Sequence, residues 1–379
     1  MTEPEPLQQV RRTYVRLRGR ELSYFAGCDY FRLSSHPRVV EAVNTGLRRF
    51  GLNVAASRRT SGNHVLYLKL EKQLAEFFYA ETAVLVSNGY LSNFVVAQAL
   101  SGQFSHALID ELAHLSPSDA AQFLNCPVLK FKHHDPADFE RAVVRCGQGA
   151  RVVALTDGMF AGDGTVAPLR AYLKLLPRDG LLVVDDAHGA GTLGKNGGGA
   201  VELEGVSQKR VVQCVTLSKA FGCYGGAVLC SKKLRERIVT RSGIFIGSTP
   251  LPLPLANAAS TALAIVKRDP NLRARLNRNS DHVKDLLRRA GLVLAAVPGP
   301  IIPFHLKLDS QIPRLHRALL TAGIFPSFIK YPGGPEAGFF RFVISSEHTK
   351  SQLDKLIRIL IPFVPFAPAP DGSHREVGG

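Results

Sequence analysis

The sequence has 379 residues, of which 45% are hydrophobic and 21% are charged, and its formal net charge is +16. This length predicts one large domain with a smaller second domain, and the composition is that of an ordinary globular protein. No apolar run approaches the roughly 20 residues of a membrane span, and the acidic start Met1–Glu5 lacks the apolar core of a secretory signal. We therefore expect neither a membrane span nor a secretory signal.

The N-terminal part of the chain combines short strand patterns with two amphipathic helices. Strands are predicted at Thr13–Leu17 and Leu22–Ala26. A helical pattern begins at Pro37 and continues to about Phe50, with apolar residues on one face. After a loop rich in Ser, Arg and Gly, Val65–Tyr79 is again amphipathic and predicts a second helix.

From residue 83 onward, strand-sized apolar runs alternate with helical patterns. The predicted strands are Ala83–Val86, Ala107–Ile109, Val128–Phe131, Val152–Leu155, Leu181–Val184, Val211–Val215 and Ala227–Leu229. The predicted helices are Tyr90–Leu100, Pro117–Phe123, Pro136–Val144 and Leu169–Leu176. This alternation predicts an α/β fold with a mostly parallel seven-stranded sheet between helices. Ligands of such sheets gather beyond the carboxyl ends of the strands.

The pattern changes after residue 252, and the C-terminal third predicts a smaller α+β unit. Its predicted elements are the helices Leu255–Val266, Asn271–Ala290, Pro313–Ala322 and Lys350–Ile361, and the strands Val293–Val297, Ile302–Leu308 and Phe339–Ser345. We therefore expect an N-terminal arm over residues 1–40, a large domain over 41–255, a small C-terminal domain over 256–365 and a flexible tail over 366–379.

Two of the predicted buried strands are followed by residues of complementary chemistry. Asp185 directly follows Leu181–Val184, and Lys219 follows Val211–Val215 within the segment Thr216–Gly222. A pyridoxal phosphate site needs this pair, because its lysine forms a Schiff base with the aldehyde and its acid keeps the ring nitrogen protonated. Taken singly, each could be an ordinary surface lysine or a turn-capping acid. Together and in this order, they favour the cofactor site.

Three further polar residues are candidates for this site, each with an alternative structural interpretation. His188 could contact the phenolic oxygen of the cofactor or satisfy local backbone groups. His114 could stack on the pyridine ring, although its spacing alone favours a buried core histidine. Arg341 lies in the apolar segment Phe339–Ile344, where an arginine needs an anionic partner. That partner is either a substrate carboxylate or a structural ion pair.

Candidate phosphate ligands occur where strands give way to helices. Gly89 and Tyr90 follow a strand and begin a helix, so their backbone N–H groups suit an anion, as they do in many βα turns. Thr216, Ser248 and Thr249 add hydroxyl groups, and Ser248 could instead cap a helix.

Together these positions resemble the α-oxoamine synthases, a branch of the fold-type I pyridoxal phosphate enzymes. The similarity runs from about Tyr30 to Ile361, most of the chain. It is carried by the segments Ser57–Asn63, Ser87–Tyr90, Thr156–Gly164, Val184–Gly189, Thr216–Gly222, Gly247–Pro250 and Arg341–His348.

The resemblance implies roles for the candidates around the cofactor ring. Lys219 would hold pyridoxal phosphate and then, when free, remove the α-proton of the amino acid. Asp185 would pair with the ring nitrogen. His114 would stack on the ring, and His188 would bind its oxygen.

The resemblance also implies roles at the phosphate and in assembly. Gly89, Tyr90 and Thr216 would hold the phosphate within one chain. Ser248 and Thr249 would reach the phosphate bound in the neighbouring subunit, which implies an obligate homodimer with shared active sites.

The activity that the resemblance implies is a decarboxylating condensation of an amino acid with an acyl thioester. Alanine with a pimeloyl group, on coenzyme A or acyl carrier protein, is the first candidate pair, and glycine with another acyl group is an alternative. A non-catalytic homologue is a further alternative, although a dead subunit has no need of Lys219. Arg341 would take the amino-acid carboxylate. Arg12 could bind the carboxylate of a dicarboxylic acyl chain, but surface charge is the preferred interpretation for the arginines of the arm.

The chain departs from the family pattern at four places on the substrate side. Cys28 stands where the family usually has an asparagine that helps to bind the substrate carboxylate. Ala161 replaces a serine near the cofactor oxygen, Tyr67 replaces a histidine, and Ala55–Ala56 replaces a glycine-rich stretch. The cofactor residues are retained, so the sequence predicts the cofactor more sharply than the substrate.

The basic charge and the cysteines add general expectations. The basic residues are dispersed and no nucleic-acid-binding motif accompanies them, so nucleic acid is not an expected partner. Solvated surface explains most of the excess charge, and attraction of anionic substrates is an alternative. The six cysteines show no metal-ligand spacing and predict free thiols in a reducing cytoplasm, without a metal site.

Overall fold

The computed structural model describes residues 5–331 and 334–364. Its N-terminal part contains a three-stranded antiparallel sheet and two helices: β1 (Gln9–Arg11), β2 (Tyr14–Leu17), β3 (Arg20–Ser23), α1 (Pro37–Phe50) and α2 (Val65–Phe77). Helix α1 begins where the sequence predicts, because His36 accepts a hydrogen bond from the Arg38 backbone N–H and Pro37 occupies the first turn. The tail predicted over 366–379 lies outside the described residues.

The middle of the chain alternates strands and helices as predicted. Its elements are β4 (Thr82–Val86), α3 (Tyr90–Leu100), β5 (His106–Asp110), α4 (Leu115–Ala120), β6 (Val128–Phe131), α5 (Pro136–Arg145), β7 (Val152–Asp157), α6 (Leu169–Leu175), β8 (Leu181–Asp185), α7 (Ala200–Leu203), β9 (Val211–Thr216), β10 (Gly226–Cys230), α8 (Lys232–Arg241), α9 (Gly243–Gly247) and α10 (Leu253–Arg268). The charged helix α8 is absent from the sequence-based expectation. Its N-cap is Ser231, whose hydroxyl accepts from the Leu234 backbone N–H.

Within the described residues, seven of these strands form one sheet in the order β4-β10-β9-β8-β7-β5-β6. Strand β10 is antiparallel to both of its neighbours, and the other pairs are parallel. Strands β4, β7, β8 and β9 therefore run in the same direction, and their carboxyl ends meet at one edge. The predicted α/β fold with a mostly parallel seven-stranded sheet is confirmed.

Helices cover both faces of this sheet with apolar side chains. Helices α1, α2 and α10 pack in one apolar core with alternate residues of β4, β9 and β10. Helices α3 and α8 pack on the opposite face of the same strands. Both faces of the central strands are thereby buried, which explains why they are continuous apolar runs. The domain boundary predicted at residue 255 falls within α10 and stays a prediction.

The remaining elements form a smaller α+β region: α11 (Pro270–Arg289), β11 (Ile301–Phe304), α12 (Ile312–Thr321), β12 (Phe328–Ile329), β13 (Phe339–Val343) and α13 (Lys350–Leu360). The strands pair in the order β11-β13-β12, and an apolar core joins them to α12 and α13. No helix in residues 5–331 or 334–364 combines the length and apolar character needed to cross a bilayer.

The strand predicted at Val293–Val297 is wrong. This segment is an irregular connection in which the Val293 side chain is 89% exposed. Side chains of α11 donate to two of its backbone carbonyls and to one just beyond it. Lys284 Nζ donates to Val297 and Gly299, and an Arg288 Nη donates to Ala295. These two carbonyls are therefore not available for pairing with another strand.

Candidate functional site

The carboxyl edge of the sheet opens into a cavity of about 280 Å³. It brings together seven of the residues predicted from the sequence: Gly89, Tyr90, His114, Asp185, His188, Thr216 and Lys219. These residues follow four different strands of the sheet, so only the parallel topology places them in one cavity.

Lys219 lies in the turn after β9 and is partly buried. Burial lowers the pKa of its amine, while the negative charge of Asp185 acts in the opposite direction. A lysine with a lowered pKa carries a larger fraction of the neutral, nucleophilic amine. The site therefore suits imine chemistry at Lys219.

Asp185 is the last residue of β8, and hydrogen bonds hold both of its carboxylate oxygens. Asn93 Nδ2 on α3 donates to Oδ2 at 2.6 Å, and the Ala187 backbone N–H donates to Oδ1 at 3.1 Å. Asn93 is fully buried and also donates to Ser116. The carboxylate is thus buried and fixed in orientation, as a partner for a protonated ring nitrogen must be.

Asp186 points away from the cavity, as expected for the next residue along a strand. Its Oδ2 accepts hydrogen bonds from Gln213 Nε2 at 2.7 Å and from the Ala200 backbone N–H at 2.9 Å. Burial raises the pKa of Asp186 to about 7. Asp186 thus has a structural role and does not line the cavity.

Asp157 is a cavity residue that the sequence reasoning missed. It ends β7 directly opposite Asp185 in the parallel register, and its Oδ1 accepts from the His114 backbone N–H at 3.1 Å. Burial, together with the adjacent Asp185 charge, raises the pKa of Asp157 well above its ordinary value. The sequence does contain a signal for Asp157, because it is an acid at the end of another buried apolar strand.

The two histidines lie on different sides of the cavity and are both held at Nδ1. His114 caps α4, and its Nδ1 accepts from the Ser116 backbone N–H at 3.1 Å. His188 Nδ1 lies 2.6 Å from the hydroxyl of buried Tyr30. Burial lowers the pKa of both rings, that of His188 strongly, so both are neutral, and the bond from Ser116 places the proton of His114 on Nε2. Tyr30 was not predicted as a partner of the site.

The start of α3 lies beside Thr216 in a tight backbone contact. A Cβ atom at Gly89 would come within 2.6 Å of the Thr216 Cβ, so this position requires glycine. The Tyr90 hydroxyl is already engaged with Asp119 at 2.7 Å. The donors at this end of the cavity include the backbone N–H groups of Gly89 and Tyr90 at the start of α3 and the nearby hydroxyls, a set that fits a phosphate.

Ser248 and Thr249 do not line this cavity. Ser248 is the C-cap of α9 and lines a separate small cavity with Arg58 and Tyr67, and Thr249 is exposed. Helix α10 begins only at Leu253, so Ser248 is not the helix N-cap that the sequence left open.

Arg341 lies on β13, where its Nη1 donates to the Ala161 carbonyl oxygen at 2.8 Å. Its Nε is buried and has no hydrogen-bond partner among residues 5–331 and 334–364. The positive charge of Arg341 is felt by both Lys219 and His188, whose pKa values it helps to lower. Within the described part of the chain, none of the ion pairs includes Arg341, and this disfavours the structural ion pair.

Arg12 lies elsewhere. It forms an ion pair with Glu347 at 2.7 Å, and its side chain is 65% exposed. This position agrees with the preferred interpretation of surface charge.

Comparison with known proteins gives a consistent result. The sequence profile described as aminotransferase class I and II matches residues 28–360. The chain is 33% identical to the 8-amino-7-oxononanoate synthase of Thioalkalivibrio sulfidiphilus, over 90% of this chain and 88% of that protein. It is 35% identical to the enzyme of the same name from Xylella fastidiosa, over 92% and 88% of the two chains.

Solved structures agree in fold. The chain is similar to Sphingomonas wittichii serine palmitoyltransferase, with a TM-score of 0.86, 24% identity and coverage of 93% and 91% of the two chains. It is also similar to the 8-amino-7-oxononanoate synthase of Francisella tularensis, with a TM-score of 0.78, 25% identity and coverage of 90% and 97%. The chain therefore belongs to the class I and II aminotransferase family, within its α-oxoamine synthases, which are pyridoxal phosphate-dependent acyltransferases.

Proposed function

We propose that this chain condenses L-alanine with a pimeloyl thioester, on coenzyme A or acyl carrier protein, with loss of carbon dioxide. The product would be 8-amino-7-oxononanoate, an intermediate of biotin biosynthesis. Curated relatives of that name, with 31–35% identity, support the proposal. The observation that carries it is the shared cavity of the Lys219 amine and the buried Asp185 carboxylate.

The residues of the cavity fit pyridoxal phosphate from end to end. Lys219 would bind its aldehyde carbon, and the fixed carboxylate of Asp185 would pair with its ring nitrogen. The flat ring of His114 would cover one face. Nε2–H of His188 would donate to the ring oxygen. The phosphate would lie at the opposite end and accept hydrogen bonds from Gly89, Tyr90 and Thr216.

When bound, pyridoxal phosphate supplies an electron sink for the electron pair released at the substrate α-carbon. The protein supplies the proton transfers. The Lys219 amine, when free, would accept the α-proton, and burial lowers its pKa, which increases the fraction of neutral amine that can do so. Arg341 holds the substrate carboxylate through the Nε donor that has no partner among the described residues.

A related condensation with another amino acid or acyl donor, such as glycine, is the second candidate. Two observations support this second candidate. Cys28 is half-buried near Lys219, and Ala161 is buried without a hydroxyl. A thiol and a methyl group change the polar contacts that the substrate would meet.

We also propose that the working unit is a homodimer in the cytoplasm. Ser248 and Thr249 lie outside the Lys219 cavity of their own chain, which suits a contact with the site of a second copy. Exposed apolar side chains on the neighbouring helices offer a surface for such a contact: Val40, Leu47, Val65 and Leu68. All six cysteines are free thiols, as in a reducing compartment.

The direct test is release of coenzyme A by the purified, cofactor-loaded protein. Alanine, glycine and serine are each combined with pimeloyl, acetyl and long-chain thioesters. Turnover with alanine and the pimeloyl thioester alone is the expected result, and Lys219→Ala abolishes it. Lys284→Ala is the matched control, because this buried lysine donates to two carbonyls away from the cavity. Turnover with a different pair establishes the second candidate, and no turnover with any pair refutes both.

A further inference from the structure

Two buried donors near the cavity have no hydrogen-bond partner among residues 5–331 and 334–364. One is Nε of Arg341, and the other is the hydroxyl of Tyr331, in the loop between β12 and β13. A buried donor without a partner costs roughly 1–3 kcal/mol and calls for an explanation. When two such donors lie close together, one ligand can accept a hydrogen bond from each of them.

The backbone of the β7–α6 connection brings the two side chains together. The Ala161 carbonyl oxygen accepts from Arg341 Nη1 at 2.8 Å. The Tyr331 ring packs on the next residue, Gly162, where a Cβ atom would lie 3.3 Å from Tyr331 Cδ1. Glycine at position 162 therefore gives the ring the room to approach beside Arg341.

The same ring extends toward the cofactor cavity. The centroids of Tyr331 and His114 are 6.4 Å apart with an interplanar angle of 37°, and His114 lines the cavity together with Lys219. One side of the Tyr331 ring borders a second cavity, of about 200 Å³, with Phe160 and Phe339. Tyr331 thus lines the second cavity and lies next to His114, which lines the first.

Charged side chains at and near the Lys219 cavity act on the Tyr331 phenol. Burial raises the pKa of the phenol, and Asp157 raises it further, while Arg341 acts in the opposite direction. The phenol is therefore neutral near pH 7 and has an O–H to donate. Cys28 belongs to the same surroundings, but its thiol is only a weak donor.

We propose that Tyr331 is a specificity-determining residue whose hydroxyl, together with Arg341 Nε, binds the carboxylate of the amino-acid substrate. This inference rests on the proposed function. A carboxylate has two oxygens and accepts from a guanidinium and a phenol at once, which removes both unsatisfied donors in a single binding event. A substrate without that negative charge would leave the pair unsatisfied.

The test compares the cofactor-loaded protein with its Tyr331→Phe variant, which keeps the ring and loses only the hydroxyl. L-Alanine binding without any acyl donor is followed by the change in cofactor absorbance. We expect the dissociation constant for L-alanine to rise at least about tenfold, as for loss of a hydrogen bond to a charged group. The dissociation constant for L-alaninamide, which lacks the carboxylate, should change less than about twofold.

Tyr172→Phe is the matched control. Tyr172 is fully buried, and its hydroxyl also lacks a partner among the described residues, but it packs against Phe131 and Phe139 away from the cavity. Its removal should leave the affinity for both ligands unchanged.

Three outcomes would overturn the assignment. Unchanged alanine affinity in Tyr331→Phe means that the substrate carboxylate does not bind the Tyr331 hydroxyl. This result refutes the role of Tyr331 and leaves the proposed function standing. Equal weakening for alanine and alaninamide indicates a merely structural role. A wild-type protein that responds to no amino acid refutes the proposed function and this inference with it. If glycine or serine is the responsive amino acid, the same comparison is made with that amino acid and its amide.

Discussion

The hydrogen bond between Tyr30 and His188 gives a prediction that can be worked out atom by atom. The Tyr30 hydroxyl lies 2.6 Å from His188 Nδ1, and both side chains are buried. Burial raises the pKa of Tyr30 and lowers that of His188, so both groups are neutral, and we assign the phenol as the donor and ring Nδ1 as the acceptor. The proton of His188 is thereby kept on Nε2, where the proposed contact with the cofactor oxygen needs it.

Tyr30→Phe removes that constraint and leaves Nδ1 of His188 buried without a donor. The loss of one such bond costs about 1–3 kcal/mol. If that free energy is lost from the cofactor-binding state, the dissociation constant for pyridoxal phosphate rises about 5- to 150-fold. Part of the loss can be recovered when the ring proton moves to Nδ1, but Nε2 then no longer donates.

The assay is a titration of the cofactor-free protein with pyridoxal phosphate, followed by absorbance at neutral pH. Tyr172→Phe serves as the control for replacing a buried tyrosine, and we expect its affinity to equal that of the wild type. Equal affinity in Tyr30→Phe and the wild type would refute the argument that this hydroxyl sets the proton position on His188.

Two further predictions concern stability. Glu71→Gln removes a buried carboxylate that pairs with Arg58 and Arg235, so unfolding should become about 3–5 kcal/mol easier, measured as a lower urea midpoint. Burial opposes protonation of His133, yet its bonds to two aspartates raise its pKa to about 9. The folded state therefore holds this proton more tightly than the unfolded state, and the stabilisation present below pH about 6.5 is lost between about 6.5 and 9. We expect a loss of about 1–2 kcal/mol over that window after solvent screening, absent in His133→Gln.

Each of these has a clear contrary result. An unchanged urea midpoint in Glu71→Gln would show that the buried carboxylate contributes no net stability. Parallel stability profiles of the wild type and His133→Gln between pH 6.5 and 9 would show that His133 is not the group responsible.

The cofactor side of the site was predictable because it depends on strand ends. Asp185 and Lys219 each follow a buried apolar run, and the carboxyl ends of parallel strands meet at one edge. Their convergence therefore follows from a pattern that is local in the sequence. The starts of α1 and α11 were predictable to within one residue for a similar reason, since Pro37 and Pro270 occupy first turns where a missing N–H costs nothing.

The supporting contacts were not predictable, because they join residues far apart in the chain. Tyr30 reaches His188 across 158 positions, and Asn93 reaches Asp185 across 92. Tyr331 comes beside Arg341 only through the packing of the β7–α6 connection. No periodicity or motif encodes such pairs. The wrong strand at Val293–Val297 has a more local cause, because Lys284 and Arg288 on the preceding helix donate to carbonyls of that segment.

The measurement that tests the central claim most directly is covalent mapping of the cofactor. The cofactor-loaded protein is reduced with borohydride, which fixes pyridoxal phosphate on the amine that holds it, and the labelled peptide is then sequenced by mass spectrometry. We expect one label, on the peptide that contains Lys219. A label on another lysine, or a protein that takes up no cofactor under saturating conditions, would contradict the account.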